Sequence, residues 1–233
     1  MDFAPFDQRG YRTLPVGEGY GLWAETYESV VQDEMDIRLF ERLGSVDWAG
    51  AGAVLDLACG TGRIGAWLKA KGARRIDGLD MTPQMLERAK ARGVYERLVQ
   101  GDVAATGLAA GAYDLIVQSL ADEHLRELAP LYRETARLAT PGGAFVIVGY
   151  HPHFLMSGVP THFNAASGEP VAVESYVHLT SDHVSAARAA GWTLDEMAEG
   201  VIDDAWIAKK PKWERFRHHP VSFAMVWRRV GSA

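Results

Sequence analysis

Three aspartates, Asp56, Asp80 and Asp102, each stand where a short apolar run gives way to a turn. After the first of them the chain reads Leu57-Ala58-Cys59-Gly60-Thr61-Gly62-Arg63-Ile64-Gly65. An apolar run, a glycine-rich turn and a helix-compatible segment, in that order, make a strand, a tight loop and a helix N-terminus. Nucleotide-type ligands use such a corner. Gly60 and Gly62 carry no Cβ, so the backbone there can approach a ligand closely.

As a bare pattern, Gly60-x-Gly62-x-x-Gly65, with Asp80 about twenty residues further on, also fits the dinucleotide fingerprint. A nicotinamide dinucleotide brings an anionic pyrophosphate, which a carboxylate at Asp56 opposes. S-adenosylmethionine has no phosphate and carries a sulfonium and an ammonium. A lone aspartate at such a place is commonly a turn or helix cap, but three acids at three successive strand ends favour the cationic ligand.

The chain resembles the class I S-adenosylmethionine-dependent methyltransferases. Asp56-Leu57-Ala58-Cys59-Gly60-Thr61-Gly62 is similar to that family's first motif, and Ile76-Asp77-Gly78-Leu79-Asp80-Met81 to its ribose-binding motif. Gly101-Asp102-Val103 is similar to the adenine-binding motif, and Thr140-Pro141-Gly142-Gly143 to the turn before the fifth strand, with Ala139 where leucine is usual. The resemblance implies S-adenosylmethionine as cofactor. It places the methionyl part on Asp56, Ala58 and Gly60, within a binding loop that includes Cys59, Thr61 and Gly62. It assigns the ribose to Asp80, and the adenine to Met81, Asp102 and Val103. Ser119, Leu120 and Ala121 should face the methionyl moiety and the methyl group.

Tyr20-x-x-x-Ala24-x-x-Tyr27 resembles the N-terminal pattern of the ubiquinone/menaquinone methyltransferase group, in which an aromatic helix closes over the cofactor. Tyr20, Trp23 and Tyr27 fall near one helical face, and ring faces attract a sulfonium; the same stripe also suits ordinary core packing. Gly17, Gly19 and Gly21 are expected to act as loose joints of this lid. Methyl transfer needs alignment, water exclusion and, for a protonated acceptor, a base. Asp122, Glu123 and His124 after strand four, and His151 and His153 after strand five, are the candidates, with His124 and His151 foremost. His151, His153 and His162 match no tight metal motif, and no metal is expected.

The composition sets bounds. A chain of 233 residues, 48% of them hydrophobic, fits one α/β domain with a continuous core. A formal charge of −6 argues against a general nucleic-acid binder. The absence of long apolar runs argues against membrane insertion. A single cysteine, Cys59, suits a cytoplasmic location, and as a small residue in the glycine turn it has no evident base. The basic segment 209–219 reads either as a solvated loop or as a cationic rim for an anionic substrate.

Strand-like runs at 54–58, 75–79, 96–100, 113–119, 144–150, 192–201 and 221–229 alternate with helical segments. The pattern predicts a Rossmann-like α/β fold: a seven-stranded, mostly parallel sheet with an antiparallel last strand and helices on both faces. A helix is expected over 23–43, with Val31, Met35 and Leu39 on one stripe, and irregular chain before Gly19. Thr82 should cap the helix that opens at Pro83. Residues 152–177 read as a flap with a hairpin arm at 171–177. The expected division is an N-terminal lid (1–45), a cofactor-binding half (46–150), a substrate flap (151–180) and a C-terminal part (181–233). The function implied is methyl transfer to a small-molecule substrate. The alternatives are a nicotinamide-dependent oxidoreductase and a non-catalytic cofactor-binding regulator.

Overall fold

A computed structural model describes residues 1–31 and 35–229. Its strands, in chain order, are β1 (Arg12–Leu14), β2 (Ala53–Leu57), β3 (Arg75–Asp80), β4 (Arg97–Gln100), β5 (Tyr113–Ser119), β6 (Ala139–Tyr150), β7 (His162–Asn164), β8 (Pro170–Val173), β9 (Trp192–Val201) and β10 (Pro220–Arg229). The α-helices are α1 (Val16–Trp23), α2 (Tyr27–Val30), α3 (Ile37–Phe40), α4 (Arg63–Ala70), α5 (Pro83–Arg92), α6 (Ala129–Leu138), α7 (Pro152–Met156), α8 (Thr180–Ala189) and α9 (Asp204–Lys209).

Every residue of β2 is buried, as a central parallel strand covered on both faces must be. Seven strands form one sheet in the order β4-β3-β2-β5-β6-β10-β9, in which β10 runs antiparallel to both β6 and β9. The expected Rossmann-like sheet is therefore present. Two apolar clusters fill its faces, one around Val54, Ile76, Val117 and Val146, the other around Leu55, Leu57, Ile116 and Phe145. From β2 the chain moves outward one way through β3 and β4, then returns to lay β5 on the other side. The strand order reverses there, opening a crevice at the carboxyl ends of β2 and β5.

The N-terminal region departs from the expected long helix over 23–43. It forms α1, α2 and α3, and residues 32–34 lie outside the described residues. Val31 is extended and ends α2, whereas Asp36 caps α3 by accepting from the Ile37 N–H at 2.7 Å. Met35 and Leu39 still reach the main core, while Val31 packs with a separate cluster. The chain before Gly19 is also more regular than expected. β1 pairs in parallel with β8, and β8 pairs with β7, giving a second, three-stranded sheet. The flap hairpin is thus β7–β8 rather than an arm at 171–177. Leu14, Trp23, Phe163, Val171 and Val173 form the small core beneath it. No local pattern marks β1, because its partner lies about 160 positions away in sequence.

Thr82 makes no side-chain cap bond; Asp80 Oδ1 accepts from the Thr82 N–H at 2.8 Å instead. The Pro-Gly-Gly turn appears as an irregularity within β6, between the pairs Tyr113↔Ala139 and Leu115↔Ala144.

Gly17, Gly19 and Gly21 are all helical, and the structure gives them another role than loose joints. A Cβ on Gly19 would stand 2.9 Å from Val173 Cγ2, and one on Gly21 3.3 Å from Gln84 Oε1. These glycines let α1 lie close against β8 on one side and α5 on the other. Gly19→Ala sets two effects in opposition: a gain of about 1 kcal/mol in helix propensity and an overpacking cost of about 1–3 kcal/mol. Val173 is β-branched and 1% exposed, so it cannot swing away. We expect a net loss of about 1 kcal/mol, read as a lower urea midpoint at unchanged m-value.

Candidate active site

At the end of β2 the chain turns sharply. Ala58 adopts φ +58°, in the left-handed region that costs a non-glycine residue energy. The Cys59 N–H donates to the Leu79 carbonyl at 2.9 Å, pinning the turn to β3, and Cys59 is buried. Burial pushes its thiol up, which leaves it a poor nucleophile. Gly60 (φ +52°) and Gly62 (φ +82°) take left-handed conformations that cost glycine no strain.

The two glycines face different surroundings. A Cβ on Gly60 would meet nothing within 4 Å, so this face of the loop is open. On Gly62 it would stand 3.0 Å from both Arg92 Cδ and Tyr95 Cε2. Gly62 therefore serves packing rather than ligand approach. Gly65 and Gly78 complete the same slot: a Cβ on Gly65 would collide with the Tyr95 hydroxyl, and one on Gly78 would lie 2.9 Å from its ring. Three glycines from two strand–helix units thus house one tyrosine. Thr61 is buried beside them, and its carbonyl accepts from Arg92 Nε at 2.8 Å.

Tyr95 donates its hydroxyl to Asp56 Oδ2 at 2.6 Å. Asp56 is 1% exposed, and burial raises its carboxyl to about 7, against the Tyr95 and Gly65 hydrogen bonds that lower it. Asp80 is 7% exposed; its Oδ2 accepts from the Gly60 N–H at 2.8 Å while Oδ1 accepts from Thr82. Each carboxylate oxygen has a second lone pair, so Asp80 retains acceptor capacity beside the open face of Gly60. Met81, next to it, is 51% exposed. Asp102 is exposed and closes a local turn by accepting from the Ala104 N–H at 2.8 Å; Val103 beside it is half-buried.

On the other side of the crevice, Leu120 adopts φ +52° and donates its N–H to the Val148 carbonyl at 2.7 Å, and Ala121 is half-buried. Ser119 Oγ donates to Asp36 Oδ2 at 2.7 Å. Asp36 is fully buried and ion-paired with Arg63, the first residue of α4. Sequence reasoning missed Asp36, Arg63 and Tyr95. The only signal was for Tyr95: glycines at 62, 65 and 78 leave room for a ring.

Beyond Leu120 lies a cavity of about 400 Å³, bounded by Tyr20, Trp23, Tyr27, Glu123, Tyr150 and Phe163 among others. Trp23 stacks on Phe163 (5.1 Å between centroids) and Tyr20 on Trp23 (5.6 Å), so the three expected lid aromatics do come together at one place.

The two foremost histidines do not line the cavity. His124 Nδ1 donates to the Glu174 carbonyl at 2.6 Å, which leaves Nε2 to accept from the Tyr20 hydroxyl at 2.8 Å. Burial holds His124 down at about 4, so it is neutral at pH 7 with both nitrogens engaged. His151 Nδ1 accepts from the His153 N–H and Nε2 donates to Glu199, toward β9. Of the expected bases the one that lines the cavity is Glu123, from the same candidate set as His124; His162, Lys210 and Lys212 line it as well.

A doubly wound sheet with a glycine loop and acids at its strand ends defines a nucleoside-binding corner. Residues 55–147 match the family model described as a methyltransferase domain. An uncharacterized methyltransferase of Emericella nidulans is 30% identical over 168 residues, 60% of this chain and 56% of that protein. A demethylmenaquinone methyltransferase of Thermus thermophilus is 32% identical over 105 residues, 42% of this chain and 47% of that one. The chain spans about half the length of these curated relatives. A S-adenosylmethionine dependent methyltransferase from Mesorhizobium loti shares the fold with a TM-score of 0.67 at 24% identity, covering 84% of this chain and 98% of that one. Residues 55–147 are thus similar to a methyltransferase domain and the fold is that of a S-adenosylmethionine dependent methyltransferase, and the nicotinamide alternative is not favoured. Its corner fits that cofactor: the face of Gly60 is open, Asp80 can accept more hydrogen bonds, and Met81 offers an exposed apolar surface.

Asp56 makes stability depend on pH. Its carboxyl rises from an ordinary 3.8 to about 7 on folding. Between those values the folded protein keeps a proton that the unfolded chain has released. The stability tied to this group is present below about pH 4 and is lost toward pH 7 at about 1.4 kcal/mol per unit. Asp56→Asn cannot ionise. Its stability relative to the native chain should climb by about 2–3 kcal/mol between about pH 4.5 and 7 in urea unfolding. An unchanged difference at the two pH values would place Asp56 in a solvated site.

Proposed function

We propose that this protein transfers the methyl group of S-adenosylmethionine to a small-molecule acceptor bound in the cavity beyond Leu120. The observation that carries this reading is the cavity itself: about 400 Å³, aromatic-walled and adjoining the strand ends. Its volume suits a small ligand and not a polymer. The small-molecule acceptor implied by the name of the Thermus thermophilus relative supports the same choice. The single cysteine fits a reducing cytoplasm.

S-adenosylmethionine, when bound, supplies an electrophilic methyl on a sulfonium leaving group. The protein's own residues bind, orient and exclude water. Asp80 holds the ribose hydroxyls, Met81 covers the adenine, and Asp102 and Val103 meet its polar edge. The open loop at Ala58 to Gly60, with Asp56 beneath it, receives the methionyl end opposite Ser119, Leu120 and Ala121. Tyr20, Trp23 and Tyr27 separate this corner from solvent and offer ring faces to the sulfonium. Residues 1–45 and the flap at 151–180 act together as the lid, since β1 and β8 share a sheet.

Calorimetry tests the cofactor. The protein should bind S-adenosylmethionine and S-adenosylhomocysteine and ignore NAD, and Asp80→Ala should weaken that binding by at least about tenfold, or 1.4 kcal/mol. Binding of NAD alone would overturn the assignment. Unchanged affinity in Asp80→Ala would reduce Asp80 to a bracket between Gly60 and Thr82.

Amide hydrogen exchange tests the lid. Residues 11–27 should exchange faster without cofactor than with it, while β2 and β5 stay protected in both states. Equal and strong protection of residues 11–27 in both states would make the aromatic trio fixed scaffold.

A further inference from the structure

Glu123 is unusual among the groups around the cavity. It is 1% exposed and lies directly after β5, in the short turn that follows Leu120. Its Oε1 has the Thr161 hydroxyl at 3.4 Å, and Oε2 has no hydrogen-bond partner among the described residues. Among the described residues no lysine or arginine forms an ion pair with it. His124 Nε2, 3.5 Å from Oε1, already accepts from Tyr20. A buried carboxyl oxygen left without a partner is costly and calls for a donor.

We propose that the cavity selects an arylalkyl amine as methyl acceptor and that Glu123 receives its nitrogen. This rests on the methyltransferase reading and names its substrate class.

Three features converge on it. The walls are flat rings in two stacks, Trp23 on Phe163 and Phe154 on Trp213, with centroids 5.1 and 5.2 Å apart, which suits an aromatic body. The surroundings of Glu123 favour positive charge over negative: Asp122 adjoins it, and Tyr20, Tyr27 and Tyr150 line the same cavity. Those tyrosines are all held up in their phenol form by burial and by the nearby carboxyl, so an oxyanion acceptor is disfavoured there. The basic side chains of the lining are His162 from β7 and Lys210 and Lys212 from the segment before β10, where Lys212 is exposed.

The dry site also prepares the nucleophile. An ammonium facing the Glu123 carboxylate and a free amine facing the Glu123 acid differ only in where one proton sits. Low polarity favours the uncharged pair, and burial together with Asp122 holds the Glu123 carboxyl well above its ordinary range. The ammonium passes one proton to Glu123 and so regains its lone pair. The nitrogen then forms a bond to the methyl carbon, and the carbon–sulfur bond breaks with its electron pair going to sulfur. S-adenosylhomocysteine and the N-methylated ammonium result, and the proton on Glu123 leaves for solvent after the product departs.

The test is calorimetry on the protein saturated with S-adenosylhomocysteine, titrated with phenethylamine, phenethyl alcohol and hydrocinnamate. Phenethylamine should bind at least about tenfold more tightly than the alcohol, and hydrocinnamate most weakly. Glu123→Gln, nearly the same in shape, should erase the amine preference while the alcohol's affinity changes little. An alcohol or acid that matches or exceeds the amine on the native protein overturns the proposal. So does undetectable amine binding at millimolar concentration, or a preference that survives in Glu123→Gln. If that variant does not fold, the ranking on the native protein decides alone. Binding of S-adenosylhomocysteine is measured first. Its failure would strike the cofactor reading, and the three probes on the cofactor-free protein would still judge Glu123.

Discussion

Asp36 has no solvent exposure, and its two carboxylate oxygens are shared between Arg63 and Ser119. Three distant parts of the chain meet in that one group: the N-terminal segment, the helix that follows the glycine loop, and the end of β5. A buried carboxylate is tolerated only when paired and hydrogen-bonded, and removing one partner of such a pair costs about 3–5 kcal/mol. The electrostatics therefore admit one arrangement of the N-terminal segment over the crevice. That anchorage ties the N-terminal segment to the end of β5 and the start of α4.

The N-terminal segment and residues 151–180 are joined by the same logic of burial. β1 has only three residues and cannot stand alone, yet beside β8 it completes a small sheet over Trp23 and Phe163. Helix α1 lies between this sheet and α5, held close by Gly19 and Gly21. The N-terminal segment and the flap hairpin therefore pack as one unit.

The acids sort themselves by environment. Asp56 is buried beneath the loop and shares its proton economy with Tyr95; Asp80 stays at the loop's edge, and Asp102 turns to solvent. Glu123 sits in a cavity with one oxygen unmet. Four carboxyls near one end of a sheet thus have different chemistry. His124, which looked like a base by position, is kept neutral by burial and spent on holding Tyr20.

The amino-acid sequence by itself determined the seven-strand sheet, because runs such as 53–57 and 144–148 are apolar enough to be strands only if covered on both faces. It also determined the loop at Gly60 and the strand-end acids, since backbone conformation and charge there depend on residues adjacent in the chain. The small sheet, the breaking of the expected helix over 23–43, the slot for Tyr95 and the placing of Glu123, not His124, on the cavity wall were decided by tertiary structure. Each depends on contacts between residues about 20 to 160 positions apart. Local periodicity carries no information at that range. Burial, which decides whether a carboxyl or imidazole is free to act, exists only once the distant parts have packed.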